Sequence, residues 1–224
     1  MNRSKNIPKN KVQVLEINLE NFHLTELEPA VSILKKGGVI AYPTETVYGL
    51  GANIYHEKAV ERINHLKKRD PKKPLSVMIA SQGDVAELCV KIAEYSRILM
   101  TRYWPGPLTL ILNASSNVPK YIVSHDNKIG LRMPNHPVTL GFMILHREPV
   151  ITTSANLAGA SAPIRCQQVQ TTFRDKIDLM IDSGECGVKI PSTVLDVTGK
   201  TPRILREGAI PFGQIEQVLH GVTT

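Results

Sequence analysis

Helical and strand-like patterns alternate along the whole chain, and this alternation constrains the fold more than any other feature. Thr25 is followed three residues later by Glu28, which is a capping box, and the helix that follows ends at Gly37 and Gly38. An apolar stretch, VIAYP, comes next and is typical of a buried strand. The same order then repeats, with a helix over 56–69 and a strand in LSVMIA.

The second half of the chain is richer in strands. Residues 84–103 are predicted to form one broken helix or two short ones, and further helices are predicted over 136–146 and 211–220. The strands predicted there are LTLILN, IGLRMP, PVITTS, DLMIDS, STVLDVT and RILRE. Because these elements intermix without a linker or repeat, we expect an α/β fold: a single domain with a large, twisted, mixed sheet flanked by helices.

The composition is that of a soluble globular protein with a basic balance. The 27 Lys and Arg residues against 20 Asp and Glu give a net charge of +7, which favours anionic partners such as nucleotides or RNA. No apolar run approaches the roughly 18 to 20 residues that a membrane-spanning helix needs. We therefore expect a cytoplasmic protein with no membrane partner, in which 1–11 form a disordered basic tail and 12–224 form the domain.

Several common catalytic and metal-binding patterns are missing. The three cysteines, Cys89, Cys166 and Cys186, form no C-x-x-C pair, so neither a disulfide framework nor a zinc site is indicated, and we expect no metal-binding residues. Glu45 is the only acid inside the polar motifs apart from Asp70. A reaction that depends on positioning and charge neutralisation, such as transfer at a phosphate of ATP, suits this inventory better than covalent or metal-hydrolytic chemistry.

Cations that could hold phosphate are concentrated in one segment, LKKRDPKKPL at 66–75. The chain has no P-loop and no G-x-G-x-x-G after a strand, so side-chain cations would have to neutralise much of the charge of ATP. A solvated helix end is an equally good reading, because the helix dipole favours cations there. The two prolines favour an anion site, since a stiff loop loses less entropy when it binds.

Three segments are rich in hydroxyl side chains and small residues: AYPTETVYGLG at 41–51, TTSANLAGASAP at 152–163 and IPSTVLD at 190–196. The glycines of the first would let a ligand approach the backbone closely. The second follows a strand, and ligands of α/β proteins commonly bind at the carboxyl ends of strands. There Ser154 and Asn156 could hydrogen-bond a ribose or phosphate, although a turn rich in Ser and Asn is an equally good reading.

Seven motifs occur in the order that is found in the YrdC-like threonylcarbamoyl-AMP synthases: PTETVYGLG, KKRDPKKPL, WPGPLTLIL, IGLRMPNHP, TTSANLAG, PSTVLDVTG and ILREGAI. The chain resembles this family from about residue 25 to residue 220, as a single YrdC-like domain without the extra C-terminal domain of the longer members. The resemblance implies a twisted α/β sheet with a deep, basic concave face.

The activity implied by the resemblance is that of a nucleotidyltransferase. Such an enzyme combines L-threonine, bicarbonate and ATP, with Mg²⁺ accompanying ATP, into threonylcarbamoyl-AMP and pyrophosphate. Downstream transfer proteins use the product to modify the adenosine next to the anticodon of tRNA.

The resemblance also assigns individual residues. The catalytic pair of its K-x-R motif corresponds to Lys67 and Arg69. Contacts to L-threonine correspond to Thr46, Arg132 and Ser192. Contacts to ATP correspond to Arg69, Lys73, Lys128, Thr152, Ser154, Asn156 and Arg206. Fixed cations and hydrogen-bond donors suit the phosphates, and an arginine can clamp the amino-acid carboxylate with two hydrogen bonds.

Two positions depart from the family pattern. Asp70 stands where many members have proline directly after the arginine, which puts a negative charge beside the expected phosphate clamp, although Pro71 keeps the loop stiff. Met78 falls where some members have a polar residue near threonine.

Two other functions stay open. A non-catalytic module that binds double-stranded RNA or tRNA would explain the charge, but it gives no reason for the Thr, Ser and Asn motifs. Related domains of larger proteins transfer carbamoyl groups from other donors. The 224 residues show no attached acylphosphatase or zinc-finger segment, which argues against that activity.

Overall fold

The computed structural model describes residues 12–68 and 75–220. The tail expected over 1–11 and the loop positions Arg69, Asp70, Pro71 and Lys73 lie outside the described residues. The described helices are α1 (Glu28–Lys35), α2 (Glu57–Lys67), α3 (Asp84–Leu88), α4 (Glu94–Tyr103), α5 (Pro137–His146), α6 (Cys166–Phe173) and α7 (Phe212–His220). The described strands are β1 (Gln13–Glu16), β2 (Ile40–Tyr42), β3 (Gly49–Asn53), β4 (Ser76–Met78), β5 (Cys89–Val90), β6 (Leu108–Ala114), β7 (Lys128–Arg132), β8 (Val150–Ser154), β9 (Leu179–Asp182), β10 (Thr193–Asp196) and β11 (Arg203–Arg206).

The strands form one eleven-stranded mixed sheet, as the sequence predicts. Their order is β1-β9-β2-β3-β8-β4-β7-β6-β10-β11, and β5 pairs with β6. The sheet contains parallel pairs, such as β4 with β7 and β6 with β10, and antiparallel pairs, such as β3 with β8 and β6 with β7. All six strands predicted in the second half are present, and the segment 84–103 forms two helices.

The start of the first helix differs from the prediction. A 3-10 turn over Leu24–Leu27 precedes α1, and the backbone N–H of His23 donates to Glu26 Oε1 at 2.7 Å. The capping box therefore lies two residues before the predicted pair of Thr25 and Glu28. Strands β1, β3 and β5 and helix α6 were also not predicted from the sequence.

Strand β3 was missed because its sequence, GLGAN, has the composition of a turn. A Cβ on Gly51 would lie 2.6 Å from Tyr42 Cε1 and 3.0 Å from the carbonyl oxygen of Ile151. Only glycine leaves room for the Tyr42 ring across the strand. Gly51 therefore serves the packing of the sheet rather than the approach of a ligand.

Hydrophobic clusters cover both faces of the sheet. Alternate residues of β2 point to opposite faces, so Ile40 and Tyr42 join one cluster and Ala41 joins the other. Helices α1 and α5 cover the first face, where Tyr42 packs edge-on against Phe142 with ring centroids 5.2 Å apart. Helices α2 and α6 pack against the second face. No helix within 12–68 or 75–220 is long and apolar enough to cross a membrane.

Candidate functional site

A cavity of about 190 Å³ opens on the sheet, and its floor is one row of side chains from five adjacent strands. The row contains Met78, Arg132, Thr109, Val194 and Arg206, from β4, β7, β6, β10 and β11. Met78 pairs with Arg132, and Val194 pairs with both Thr109 and Arg206. Residues that are opposite one another on neighbouring strands share a face, so the sheet register brings together positions that are far apart in sequence.

The rest of the cavity wall is rich in hydroxyl groups. Ser76 of β4 pairs with Thr152 of β8, and Ser154 of β8 pairs with Gly49 of β3. These four residues line the cavity together with Thr44, Val47, Tyr48, Thr153, Pro191 and Ser192. Since a cavity of about 150 Å³ can hold benzene, this one has room for a ligand of amino-acid size.

Arg132 lies at the end of β7 and is buried, with 6% of its surface exposed. Its Nε donates to the carbonyl oxygen of Gly106 at 3.2 Å, and its Nη2 donates to Thr46 Oγ1 at 2.9 Å. No described residue accepts a hydrogen bond from its Nη1. The guanidinium is therefore held at Nε and Nη2, and the N–H donors of Nη1 are not used by any described residue.

The threonines of the first hydroxyl-rich segment form the turn that holds Arg132. Thr44 Oγ1 accepts hydrogen bonds from the backbone N–H groups of Thr46 and Val47, both at 3.1 Å, and donates to the carbonyl oxygen of Val47 at 2.7 Å. The hydroxyls of Thr44 and Thr46 are 2.8 Å apart. Thr44 thus stabilises the turn, and the turn positions Thr46 to accept the hydrogen bond from Arg132.

Glu45 is the counter-ion of Arg132. Its Oε1 lies 2.8 Å from Nη2 of Arg132, and its side chain is only 12% exposed. Neither carboxylate oxygen accepts a hydrogen bond from a described residue, so the contact with Arg132 is an ion pair. Burial lowers the pKa of the neighbouring His136 to about 4, while the charge of Glu45 acts in the opposite direction. His136 is therefore neutral at pH 7.

Arg206 and Ser192 are in contact within the cavity lining. Arg206 donates to the carbonyl oxygen of Ser192 from Nε at 3.1 Å and from Nη2 at 2.7 Å. Its Nη2 also lies 3.2 Å from Ser192 Oγ, which in turn lies 2.9 Å from Thr109 Oγ1. Burial lowers the pKa of Arg206, and the positive charge of Arg132 lowers it further. Two guanidinium groups therefore act on one cavity, and an anionic ligand would relieve their repulsion.

A family model decides the relationship of this chain to known proteins. The Sua5/YciO/YrdC model, described as "Telomere recombination", matches residues 32–208. The chain belongs to the Sua5/YciO/YrdC family. The sequence resemblance to the YrdC-like proteins is thus confirmed.

Relatives with established names are similar over most of the chain. A threonylcarbamoyl-AMP synthase of Pyrococcus abyssi is 40% identical over 190 residues, which are 85% of this chain and 56% of that protein. One from Psychromonas ingrahamii is 35% identical over 188 residues, which are 80% of this chain and 96% of that protein. The chain spans little more than half the length of some of its relatives, including the one from Pyrococcus abyssi.

Solved structures of the Sua5/YciO/YrdC family share the fold. The crystal structure of Pyrococcus abyssi Sua5 complexed with L-threonine is 37% identical, with a TM-score of 0.89 over 92% of this chain and 60% of that one. The structure of Escherichia coli YciO is 28% identical, with a TM-score of 0.82 over 88% of this chain and 96% of that one. The large mixed sheet flanked by helices is therefore the family fold.

The described residues assigned by the resemblance fall into three groups. Five of them line the cavity: Arg132, Thr152, Ser154, Ser192 and Arg206. Thr46 is fully buried behind Arg132 and contacts it directly. Lys67, Asn156 and Lys128 lie outside the lining, and Arg69 and Lys73 lie outside the described residues.

Lys67 and Asn156 adjoin the cavity through the backbone of Ser154. The Nζ of Lys67, at the end of α2, donates to the carbonyl oxygens of Ser154 and of Asn156, the latter at 2.8 Å. The side-chain amide of Asn156 donates to the carbonyl oxygens of Leu157 at 3.0 Å and Ala160 at 2.6 Å. Together they fix the loop that follows β8.

Lys128 lies four residues before Arg132 on β7, which puts the two Cα atoms about 13 Å apart. Its Nζ makes ion pairs with Asp126 at 3.0 Å and with Asp196 at 3.2 Å. The structure does not bring Lys128 to the cavity, and its assignment to ATP stays a prediction.

Sequence reasoning missed several lining residues, of which Thr109 is the most informative. It lies in WPGPLTLIL, a motif to which the resemblance assigned no functional residue. The alternation of β6 could have placed Thr109 on a face, but only the pairing of β6 with β10 puts it against Ser192 and Val194. Glu45 was noticed as an isolated acid, but its pairing with Arg132 depends on a contact across 87 residues.

Proposed function

We propose that the protein is an L-threonylcarbamoyladenylate synthase, a nucleotidyltransferase that converts L-threonine, bicarbonate and ATP into threonylcarbamoyl-AMP, pyrophosphate and water. The observation that carries the proposal is the buried Arg132, fixed at Nε and Nη2, in a cavity of amino-acid size lined by hydroxyl groups. The names of the relatives and the L-threonine bound to Pyrococcus abyssi Sua5 support it.

In this proposal the amino acid occupies the cavity. Its carboxylate accepts hydrogen bonds from Arg132, which suits the planar fork of a guanidinium. Ser192 contributes a hydroxyl from the cavity lining, and Thr46 acts through Arg132, whose orientation it fixes. Met78 and Val194 give the lining apolar side chains that could contact the methyl group of the amino acid.

ATP is too large for this cavity, so its phosphates would lie at the opening. Arg206, Thr152 and Ser154 line the cavity. We propose that they contact ATP and that Lys67, Arg69, Lys73, Lys128 and Asn156 complete the nucleotide site, with Lys67 and Arg69 as the catalytic pair. Cations there would neutralise charge that develops on the phosphates as the reaction proceeds.

The chemistry follows from this arrangement. The threonine amine combines with bicarbonate to give a carbamate, and water leaves. A carbamate oxygen then attacks the α-phosphorus of ATP in line, a new P–O bond forms, and the bond to the departing pyrophosphate breaks. The protein contributes mainly orientation and electrostatic stabilisation, since the described lining of the cavity contains no nucleophile with an adjacent base.

Mg²⁺ would enter with ATP rather than in a protein cage. Within 12–68 and 75–220 no three His, Cys, Asp or Glu side chains are grouped so that they could hold a metal ion. The phosphate oxygens themselves would coordinate Mg²⁺, which is common for nucleotide substrates. We further propose that the protein works in the cytoplasm, where transfer proteins pass its product on to tRNA.

Pyrophosphate release tests the function. The protein, ATP and Mg²⁺ should release pyrophosphate with L-threonine and bicarbonate, and omission of either should abolish release. Release that persists without L-threonine would overturn the proposal. Salt-sensitive binding of double-stranded RNA without any pyrophosphate release would favour an RNA-binding module instead.

A further inference from the structure

Thr109 and Ser192 form a pair of hydroxyl groups whose hydrogen-bonding capacity is only partly used by the described residues. Their oxygens lie 2.9 Å apart, and either one can be the donor. Thr109 is 3% exposed and Ser192 is 5% exposed, yet both line the cavity. Water is thus largely kept from the pair, and a ligand in the cavity is its available partner.

The count of donors and acceptors defines what that ligand must offer. The pair has two hydroxyl protons and four oxygen lone pairs. One proton and one lone pair are used between the two residues, and Nη2 of Arg206 uses a second lone pair. No other described residue hydrogen-bonds to either hydroxyl, so one donor and two acceptors remain, whichever residue donates within the pair.

This combination fits a hydroxyl group better than a carboxylate. A carboxylate only accepts hydrogen bonds, whereas a hydroxyl both donates and accepts. The neighbouring Arg132 already offers charged donors for a carboxylate. Leu110 pairs with Leu131 on the antiparallel strands β6 and β7. Because Thr109 precedes Leu110 and Arg132 follows Leu131, Thr109 lies across from Arg132, and the hydroxyl pair lies beside the carboxylate clamp. In a β-hydroxy amino acid the hydroxyl is separated from the carboxylate by only two carbon atoms.

We propose that Thr109, together with Ser192, selects a β-hydroxy amino acid by exchanging hydrogen bonds with its side-chain hydroxyl. The inference rests on the proposed function and adds Thr109 to it as a residue that determines specificity. Buried polar groups that are left without a partner are costly, so the pair should reject an amino acid that has the same shape but no hydroxyl.

The test compares L-threonine with L-2-aminobutyrate, which retains the methyl group and lacks the hydroxyl. Calorimetry measures the binding of each, and pyrophosphate release measures its use. The native protein should bind L-threonine about tenfold more tightly. Thr109→Val, which keeps the shape of the side chain, should weaken L-threonine binding about tenfold and change L-2-aminobutyrate binding less than twofold. Thr109→Ser, which keeps the hydroxyl, should retain the preference.

Equal weakening of both ligands by Thr109→Val, or no weakening of either, would overturn the inference. If Thr109→Val does not fold, Ser192→Ala removes the other hydroxyl and should abolish the preference in the same way. A native protein that prefers L-threonine but releases no pyrophosphate would refute the proposed function and leave this inference standing. A native protein that releases pyrophosphate equally well with both ligands would support the proposed function and refute this inference.

Discussion

Thr46 and Arg132 are joined by a hydrogen bond of 2.9 Å from Nη2 of the arginine to Oγ1 of the threonine. Both side chains are buried, and 86 residues of sequence separate them. The bond connects the turn after β2 to the end of β7, and it holds the guanidinium that we assign to the substrate carboxylate. Changes on either side of this bond should therefore act on amino-acid binding.

Thr46→Val should raise the KM for L-threonine about tenfold, because Arg132 loses an acceptor for a charged donor. The KM for ATP should change less than twofold. Thr171→Val is the matched control, since Thr171 is exposed on α6 outside the cavity and its hydroxyl donates to the carbonyl oxygen of Gln167. It should leave both KM values unchanged. Steady-state kinetics and urea unfolding check the two variants, and equal effects of Thr46→Val on both substrates would refute the assignment.

Arg132→Lys should raise the KM for L-threonine more than tenfold although the positive charge is kept. A lysine cannot reach Gly106, Thr46 and a substrate carboxylate at once with a planar set of donors. Arg203→Lys serves as the control, because Arg203 is an exposed residue of β11 that pairs with Asp196 outside the cavity. Steady-state kinetics check both variants. The same KM for L-threonine in Arg132→Lys and Arg203→Lys would contradict the role of Arg132 in binding the carboxylate.

Lys67→Met should lower kcat more than it raises the KM for L-threonine. It should also cost about 2 kcal/mol of stability, because the carbonyl groups of Ser154 and Asn156 lose a charged donor. Lys68→Met is the control, since Lys68 is exposed at the end of the same helix. Kinetics and thermal unfolding check this pair, and an unchanged kcat for Lys67→Met would rule out the catalytic role.

Stability should fall as the pH falls from 6.5 towards 4, in part because of His136. Burial lowers its pKa from 6.5 to about 4, so in this range the unfolded chain binds a proton that the folded chain does not. The loss is at most about 3 kcal/mol, and no contribution is expected above pH 6.5. His136→Gln should flatten the dependence of the unfolding free energy on pH between 4 and 6.5. A slope that is unchanged in the variant would assign the effect to other groups.

The fold was largely predictable because local patterns agree with the final structure. The strands of the second half are short apolar runs between turn residues, and each appears where its pattern indicated. Strand β3 escaped because Gly51 is required by the ring of Tyr42, a contact with a neighbouring strand that no local pattern reveals. The capping pair was misplaced because His23 and Glu26 do not form the usual sequence signature.

The site was predictable only in part, because its floor depends on strand order. Arg132, Ser192 and Arg206 carry recognisable motifs, and all three line the cavity. Thr109 joins them through the pairing of β6 with β10, and Glu45 joins them through its ion pair with Arg132. Such contacts follow from the register of the sheet, which the sequence specifies only through the complete fold.

The central claim is that this chain makes threonylcarbamoyl-AMP, and the most direct test is to detect that compound. The protein would be incubated with ATP, Mg²⁺, L-threonine and isotopically labelled bicarbonate. The products would be separated by chromatography and identified by mass spectrometry. The account predicts a threonylcarbamoyl-adenylate that carries the bicarbonate label in native protein and is strongly reduced in Arg132→Lys. A folded native protein that yields no labelled adenylate when all the substrates are present would contradict it.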